Sequence, residues 1–205
     1  MHQEQVLMAG QEITTARKAL ILLHGRGGSA TDMLSLAPHL NVAGYALAAP
    51  QATGHTWYPL SFLAPPAQNE PWLSSALQVV KKLTDDLQQK GIAPENLYFL
   101  GFSQGACLML EFIARNAGKY GGAVAFTGGL IGDRLYAENY LGSFEGMPVF
   151  IGSSNPDPHV PVQRVKDSTA LLGRMGANVT EKIYDQMGHT ISHEELDLAN
   201  RLVFG

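Results

Sequence analysis

The chain has 205 residues, of which 45% are hydrophobic and 16% are charged. This composition is too apolar for a disordered chain, and the length suits one domain rather than two. The 14 Lys and Arg residues against 18 Asp and Glu residues give a net charge of −4, which argues against a nucleic-acid partner.

Targeting and redox features give a consistent expectation about the compartment. The N-terminal residues lack the cationic start and apolar core of a signal peptide. The apolar stretches are far shorter than the ~20 residues of a bilayer-spanning helix. The single cysteine, Cys107, cannot form an internal disulfide. These features predict a soluble, cytoplasmic protein with no membrane span.

The predicted elements alternate between strands and helices along the chain. Apolar runs bounded by Gly or Pro predict buried strands at Ala19–His24, Tyr45–Ala49, Asn96–Phe102, Gly122–Phe126, Pro148–Gly152 and Val179–Tyr184. An additional strand around Val6–Ile13 is expected at the edge in antiparallel orientation. Helical spacing or position predicts helices at Trp72–Lys90, Gln104–Asn116 and Glu194–Val203. This order predicts one α/β domain over residues 1–205, a mainly parallel sheet with helices on both faces.

One segment, Gly54–Pro71, is too long for a simple turn and is rich in Pro and aromatic residues. Segments of this kind often serve as lids or substrate loops. Four of its residues are therefore expected to line a substrate site, with a place in the core as the alternative: Trp57, Tyr58, Phe62 and Leu63.

The segment Gly101–Gly105 matches the pattern G-x-S-x-G, which occurs once in the chain. It follows a predicted strand and precedes a predicted helix, which is the setting of the nucleophile elbow in α/β-hydrolases. Flanking glycines allow the sharp turn that exposes the serine hydroxyl. Ser103 is therefore predicted to be a nucleophile, and the alternative is a serine that caps the helix.

The run His24–Ser29 is a glycine-rich loop after an early strand, where this fold supplies one N–H group of its oxyanion hole. We expect the backbone N–H of Arg26 to be that donor. The N–H of Gln104, at the start of a helix, is the expected second donor. His24 is expected to organise the loop. A phosphate-binding loop is disfavoured because the chain has neither a P-loop nor a G-x-G-x-x-G pattern.

Seven histidines compete for the role of base. His189 is favoured because it follows the last predicted strand, and in this fold the acid and then the histidine follow the serine. Asp157 is favoured as the acid because it lies in a Pro-stiffened loop after the preceding strand. Asp185 and Asp133 are the rivals, and the alternative role for Asp157 is a local Asx turn.

The histidines, acids and cysteine show no H-E-x-x-H, H-x-H or C-x-x-C spacing. The sequence therefore predicts no metal site. Cys107 lies one helical turn beyond Ser103 and is expected to be a buried apolar residue rather than a nucleophile.

The motifs LLHGRGGS, GFSQG, NPDPHVP and QMGHT, in this order, resemble the phospholipase/carboxylesterase family of small α/β-hydrolases, which includes the acyl-protein thioesterases. The resemblance runs from about Ala19 to the C-terminus. It implies the same triad, Ser103, Asp157 and His189, and the same backbone donors, Arg26 and Gln104. It also implies no cofactor and, frequently, a homodimer. This chain departs from the acyl-protein thioesterases at two motifs. It has HGRGG where they usually have HGLGD, and it has FTGG where they usually have FSGG. These differences argue against lipidated-protein substrates.

The expected reaction is hydrolysis of a small-molecule ester or thioester through an acyl-enzyme on Ser103. One alternative is a dienelactone-hydrolase-like enzyme for cyclic or aromatic-derived esters, although such enzymes have Cys at the elbow. The other is a non-catalytic binding module, which need not retain Ser, Asp and His in this order. Because Arg26 stands where thioesterases usually have an apolar residue, its side chain is expected to favour negatively charged substrates.

Overall fold

A computed structural model describes residues 1–205, and its centre is one seven-stranded sheet. The strands are β1 (Val6–Gly10), β2 (Lys18–Leu23), β3 (Tyr45–Pro50), β4 (Leu97–Phe102), β5 (Gly122–Phe126), β6 (Pro148–Asn155) and β7 (Asn178–Asp185). Their order across the sheet is β1-β3-β2-β4-β5-β6-β7. β1 pairs antiparallel with β3, and all other pairs are parallel. The mainly parallel sheet and the antiparallel edge strand are confirmed.

Helices cover both faces of this sheet, as the sequence predicted. They are α1 (Ala30–Leu34), α2 (Trp72–Gln89), α3 (Gln104–Arg115), α4 (Val162–Arg174) and α5 (His193–Ala199). Along β2, Ala19, Ile21 and Leu23 pack in the cluster that contains the apolar residues of α2, α3 and α4. Leu20 and Leu22 pack in the opposite cluster, with residues of α1 and α5. β2 is apolar along its length because both of its faces are buried.

Two predicted elements end earlier than expected. β1 ends at Gly10 rather than at Ile13, because Gly10 has a φ of 73°, which departs from the extended backbone of a strand. The C-terminal helix is α-helical only as far as Ala199 and continues as a π-helical turn over Asn200–Phe204. None of the helices is both long and apolar enough to cross a bilayer.

The parallel strands bring several loops to one edge of the sheet. Ser103 follows β4, Asp157 follows β6, and His189 follows β7. The loop with Arg26 follows β2, which lies beside β4. The carboxyl edge of an open α/β sheet is where such folds bind their ligands.

Candidate active site

Ser103 occupies a strained turn between β4 and α3. Its backbone angles, φ 52° and ψ −118°, are a combination that L residues rarely adopt. The glycines of the motif make room for this turn because they lack a Cβ. A Cβ on Gly101 would lie 2.6 Å from the carbonyl oxygen of Gly105, and a Cβ on Gly105 would lie 2.2 Å from that of Leu23. The glycines therefore let α3 start directly against β2 and β4, while the serine itself adopts the unusual conformation.

The structure brings Ser103, His189 and Asp157 together in one hydrogen-bonded chain. The Ser103 Oγ lies 2.8 Å from His189 Nε2, and His189 Nδ1 lies 2.8 Å from Asp157 Oδ2. The loop that carries His189 is fixed to β6, because the N–H of Gly188 donates to Ser154 Oγ at 3.0 Å. Three residues far apart in the chain are thereby arranged as a nucleophile, a base and an acid partner would be.

The carboxylate of Asp157 is buried and aimed by its own loop. Its Oδ1 accepts hydrogen bonds from the N–H groups of His159 and Val160, both at 2.8 Å. Burial by itself would raise the pKa of Asp157, but the bonds from His159, His189 and Val160 outweigh it and hold the pKa below its usual value. The Asx turn and the contact to His189 therefore coexist, one on each oxygen.

The rival acids lie elsewhere. Asp133 accepts a hydrogen bond from the hydroxyl of Tyr136 at 2.7 Å. Asp185 is exposed at the end of β7. Asp157 is the carboxylate that pairs with the His189 ring.

The two predicted oxyanion donors are free to donate. Gln104 is the first residue of α3, so its N–H has no acceptor within the helix. The N–H of Arg26 likewise has no acceptor within the chain. Both residues line the same cavity as Ser103.

His24 holds the loop that contains Arg26, as expected from the sequence. It is buried, its Nδ1 lies 2.7 Å from the carbonyl oxygen of Gly25, and its Nε2 accepts the N–H of Ala52 at 3.1 Å. Burial lowers the pKa of His24, which keeps the ring neutral for these bonds.

The cavity at the sheet edge has a volume of about 780 Å³. Three of the four predicted substrate residues, Tyr58, Phe62 and Leu63, line it together with the triad. Cys107 lies in its wall as well, but burial raises the pKa of this thiol to about 12. Cys107 is therefore protonated at neutral pH and is no rival nucleophile.

Trp57 corrects the expectation about the substrate residues. Its side chain is fully buried and does not line the cavity. The indole N–H donates to the carbonyl oxygen of His24 at 2.8 Å, and the ring packs against the His24 ring with centroids 5.0 Å apart. The polar edge of the indole finds its partner inside the protein, so Trp57 is a core residue.

The Arg26 side chain also differs from expectation. Its guanidinium makes four hydrogen bonds to residues 56–60 of the neighbouring segment. These bonds occupy four of the N–H groups that would recognise a negatively charged substrate, which argues against the expected anion-binding role.

Sequence reasoning missed His159 as a cavity residue. Its ring meets the His189 ring edge to face, with centroids 4.9 Å apart, and it lines the cavity. The sequence signal for this role was its position two residues after Asp157, because a tight turn at Asp157 brings the side chains that follow to the same cavity.

Comparison with known proteins identifies the family of this chain. The family model described as Phospholipase/Carboxylesterase matches residues 5–203. The chain belongs to this family. A crystal structure of a phospholipase/carboxylesterase from Dyadobacter fermentans is 49% identical, covers 100% of this chain and 98% of that chain, and superposes with a TM-score of 0.98. The α/β-hydrolase fold of this phospholipase/carboxylesterase family member is thereby shown.

Curated relatives are more distant. Acyl-protein thioesterase 1 of Gibberella zeae is 34% identical over 52% of this chain and 46% of the relative. Acyl-protein thioesterase 1 of Saccharomyces cerevisiae is 26% identical over 95% of each chain. The chain spans about half the length of the first curated relatives of the phospholipase/carboxylesterase family that it matches.

Proposed function

We propose that this phospholipase/carboxylesterase family member hydrolyses small-molecule carboxylic esters or thioesters, with Ser103 as nucleophile. The observation that carries the proposal is the unbroken chain of 2.8 Å contacts from Ser103 through His189 to Asp157, at the wall of a cavity large enough for a small ester. A serine that only capped a helix would need neither the strained backbone nor these two partners.

Acylation follows from the protonation pattern that Asp157 imposes. In the neutral ring that acts as a base, His189 donates its Nδ1–H to the carboxylate and has its Nε2 lone pair free to accept the hydroxyl proton of Ser103. As the proton moves to Nε2, the serine oxygen attacks the acyl carbon. The charge that develops on the carbonyl oxygen is stabilised by the N–H groups of Arg26 and Gln104.

The leaving group departs when the tetrahedral intermediate collapses. The bond between the acyl carbon and the alcohol oxygen or thiol sulfur breaks, and His189 gives its proton to the departing atom. Water then gives a proton to His189 and attacks the acyl-enzyme. Collapse of the second intermediate releases the carboxylic acid, and the proton returns to the oxygen of Ser103.

The acyl group is proposed to contact Tyr58, Phe62 and Leu63. All three residues line the same cavity as Ser103, and Tyr58 and Phe62 are otherwise packed in the core. Apolar walls with few polar groups are usual for such sites. A series of p-nitrophenyl esters and acyl-CoA thioesters of graded acyl length would define both the acyl range and the preference for oxygen or sulfur.

The decisive test is Ser103→Ala. Removing the attacking oxygen should lower kcat by at least ~10³-fold while leaving the circular dichroism spectrum and thermal midpoint near those of the wild type. A fluorophosphonate probe should label Ser103 in the wild type, as read by peptide mass spectrometry. Ser74→Ala, an exposed serine on α2, is the matched control and should keep wild-type turnover. Wild-type turnover in Ser103→Ala, or labelling at another residue, would refute the proposal.

A further inference from the structure

Residues 56–60, which we call the wall segment, form one side of the cavity through Tyr58, Pro59 and Leu60. Arg26 binds this segment with both terminal nitrogens of its guanidinium. Nη1 donates to Thr56 Oγ1 at 2.9 Å and to the carbonyl oxygen of Pro59 at 3.0 Å, and Nη2 donates to the carbonyl oxygens of Tyr58 at 3.0 Å and Leu60 at 2.7 Å. Four of the five guanidinium N–H groups are used in this way.

Gln104 binds the same segment through its side-chain amide. Its Oε1 accepts the N–H of Trp57 at 2.9 Å, and its Nε2 donates to the carbonyl oxygen of Tyr58 at 2.8 Å. Gln104 is buried, so both ends of its amide depend on these partners. The carbonyl oxygen of Tyr58 is shared, because it accepts from Arg26 and from Gln104 at once.

These contacts join two parts of the chain that are far apart in sequence. Arg26 lies in the loop after β2, and Gln104 begins α3. The backbone N–H groups of these same two residues are the proposed oxyanion donors. The two donors must keep a fixed separation to stabilise one oxygen, and the wall segment bridges the residues that carry them.

We infer that the side chains of Arg26 and Gln104 are positioning residues, which clamp the wall segment between them and so fix the geometry of the oxyanion hole. This inference rests on the proposed function, because it concerns the same donors. A second tie supports the link on the Arg26 side: the N–H of Gly27 donates to the carbonyl oxygen of His55 at 2.7 Å, just before the wall segment.

A positioning role for Arg26 and Gln104 predicts different kinetics from a direct substrate contact. Oxyanion stabilisation acts in the transition state, so loosening the donors lowers kcat and leaves KM nearly unchanged. A direct contact from Arg26 to a charged substrate would instead alter the ratio of anionic to neutral esters.

The test uses Arg26→Met, Arg26→Lys, Gln104→Met and the double variant Arg26→Met/Gln104→Met. Arg134→Met is the matched control, because Arg134 is an exposed arginine that pairs with Glu138 on the surface. Each protein is assayed on p-nitrophenyl acetate, p-nitrophenyl butyrate and the anionic mono-p-nitrophenyl succinate. Hydrogen–deuterium exchange of the peptide covering the wall segment gives a readout that does not depend on activity.

Arg26→Met should lower kcat by at least ~10-fold on all three esters, which is part of the ~10²–10³-fold cost of losing an oxyanion donor. KM should stay within about threefold of the wild-type value. Arg26→Lys should recover only part of the loss, because one ammonium cannot serve four acceptors in a fork. The double variant should lose less than the product of the single losses, since either change releases the same segment. Exchange of the wall segment should rise in Arg26→Met and not in Arg134→Met.

Several results would overturn the inference. They are a kcat loss confined to the anionic ester, multiplicative losses in the double variant, or unchanged exchange in Arg26→Met. If Gln104→Met does not fold, the Arg26 variants and the exchange measurement decide alone. A wild-type enzyme without Ser103-dependent hydrolysis would refute the proposed function instead, and the exchange measurement would still test the clamp itself.

Discussion

Replacing Trp57 tests most directly whether its side chain belongs to the core or to the substrate site. Trp57 is fully buried, and its indole N–H is the donor to the carbonyl oxygen of His24. Truncating a buried Trp to Ala costs about 3–5 kcal/mol of unfolding free energy. Leaving a buried carbonyl without its donor adds about 1–3 kcal/mol. We therefore expect Trp57→Ala to lose about 4–8 kcal/mol, a large share of the ~5–15 kcal/mol of a typical domain.

Because so large a loss leaves little folded protein, Trp57→Phe gives the more useful measurement. It keeps an aromatic ring but removes the N–H, so we expect a loss of about 1–3 kcal/mol. Urea unfolding followed by far-ultraviolet circular dichroism would detect this, since 2 kcal/mol shifts the midpoint by about 1 M for a slope of about 2 kcal/mol/M. Trp72→Phe is the control, because Trp72 is only half-buried at the start of α2.

The kinetics of Trp57→Phe complete the test. Since Trp57 does not line the cavity, any change in kcat/KM should be the same for acetate and for longer acyl esters. The reasoning would be refuted by an unfolding free energy within about 0.5 kcal/mol of wild type together with a kcat/KM loss that grows with acyl length. That combination of results would assign Trp57 to the substrate site.

Two further predictions concern carboxyl groups. Asp157→Asn should lower kcat by at least ~10²-fold, because the amide no longer fixes the His189 tautomer, whereas Asp185→Asn should change kcat by less than about tenfold. Steady-state assays of both variants on one activated ester check this, and a crippled Asp185→Asn beside an active Asp157→Asn would reassign the acid. Glu195 is buried, and its Oε1 has no hydrogen-bond partner. Burial raises the pKa of this carboxyl above the usual value. The stability that the carboxyl contributes is therefore present below its unfolded pKa of ~4.3 and is lost as the pH rises through the folded pKa. The unfolding free energy of Glu195→Gln should therefore rise relative to that of the wild type between pH ~4 and pH ~7, as measured by urea titration at several pH values. A difference that stays constant or changes in the opposite direction would contradict the burial argument.

The sequence was most informative where the chemistry depends on chain order and strand topology. Ser103 and His189 could be selected because each follows a buried strand, and parallel strands deliver such residues to one edge. Asp157 could be ranked above Asp185 because its loop is stiffened by proline. These inferences need only local patterns and the direction of the strands.

The sequence was least informative where a role depends on which long-range partner a side chain meets. Trp57 finds its partners His24 and Gln104 at separations of 33 and 47 residues, so nothing local tells whether its ring faces the cavity or the core. The acceptors of the Arg26 side chain are mostly backbone carbonyls, which every residue has and no motif encodes.

The position of β7 has a consequence for how activity is lost under stress. It lies at the edge of the sheet, it pairs only with β6, and none of its residues is fully buried. Edge elements with little buried surface open at lower free energy than the centre of a fold. Because His189 follows this strand, subglobal opening of β7 would withdraw the proposed base from Ser103 while the central strands stay folded. The catalytic lifetime of the protein would then be governed by the docking of one edge strand rather than by its global stability.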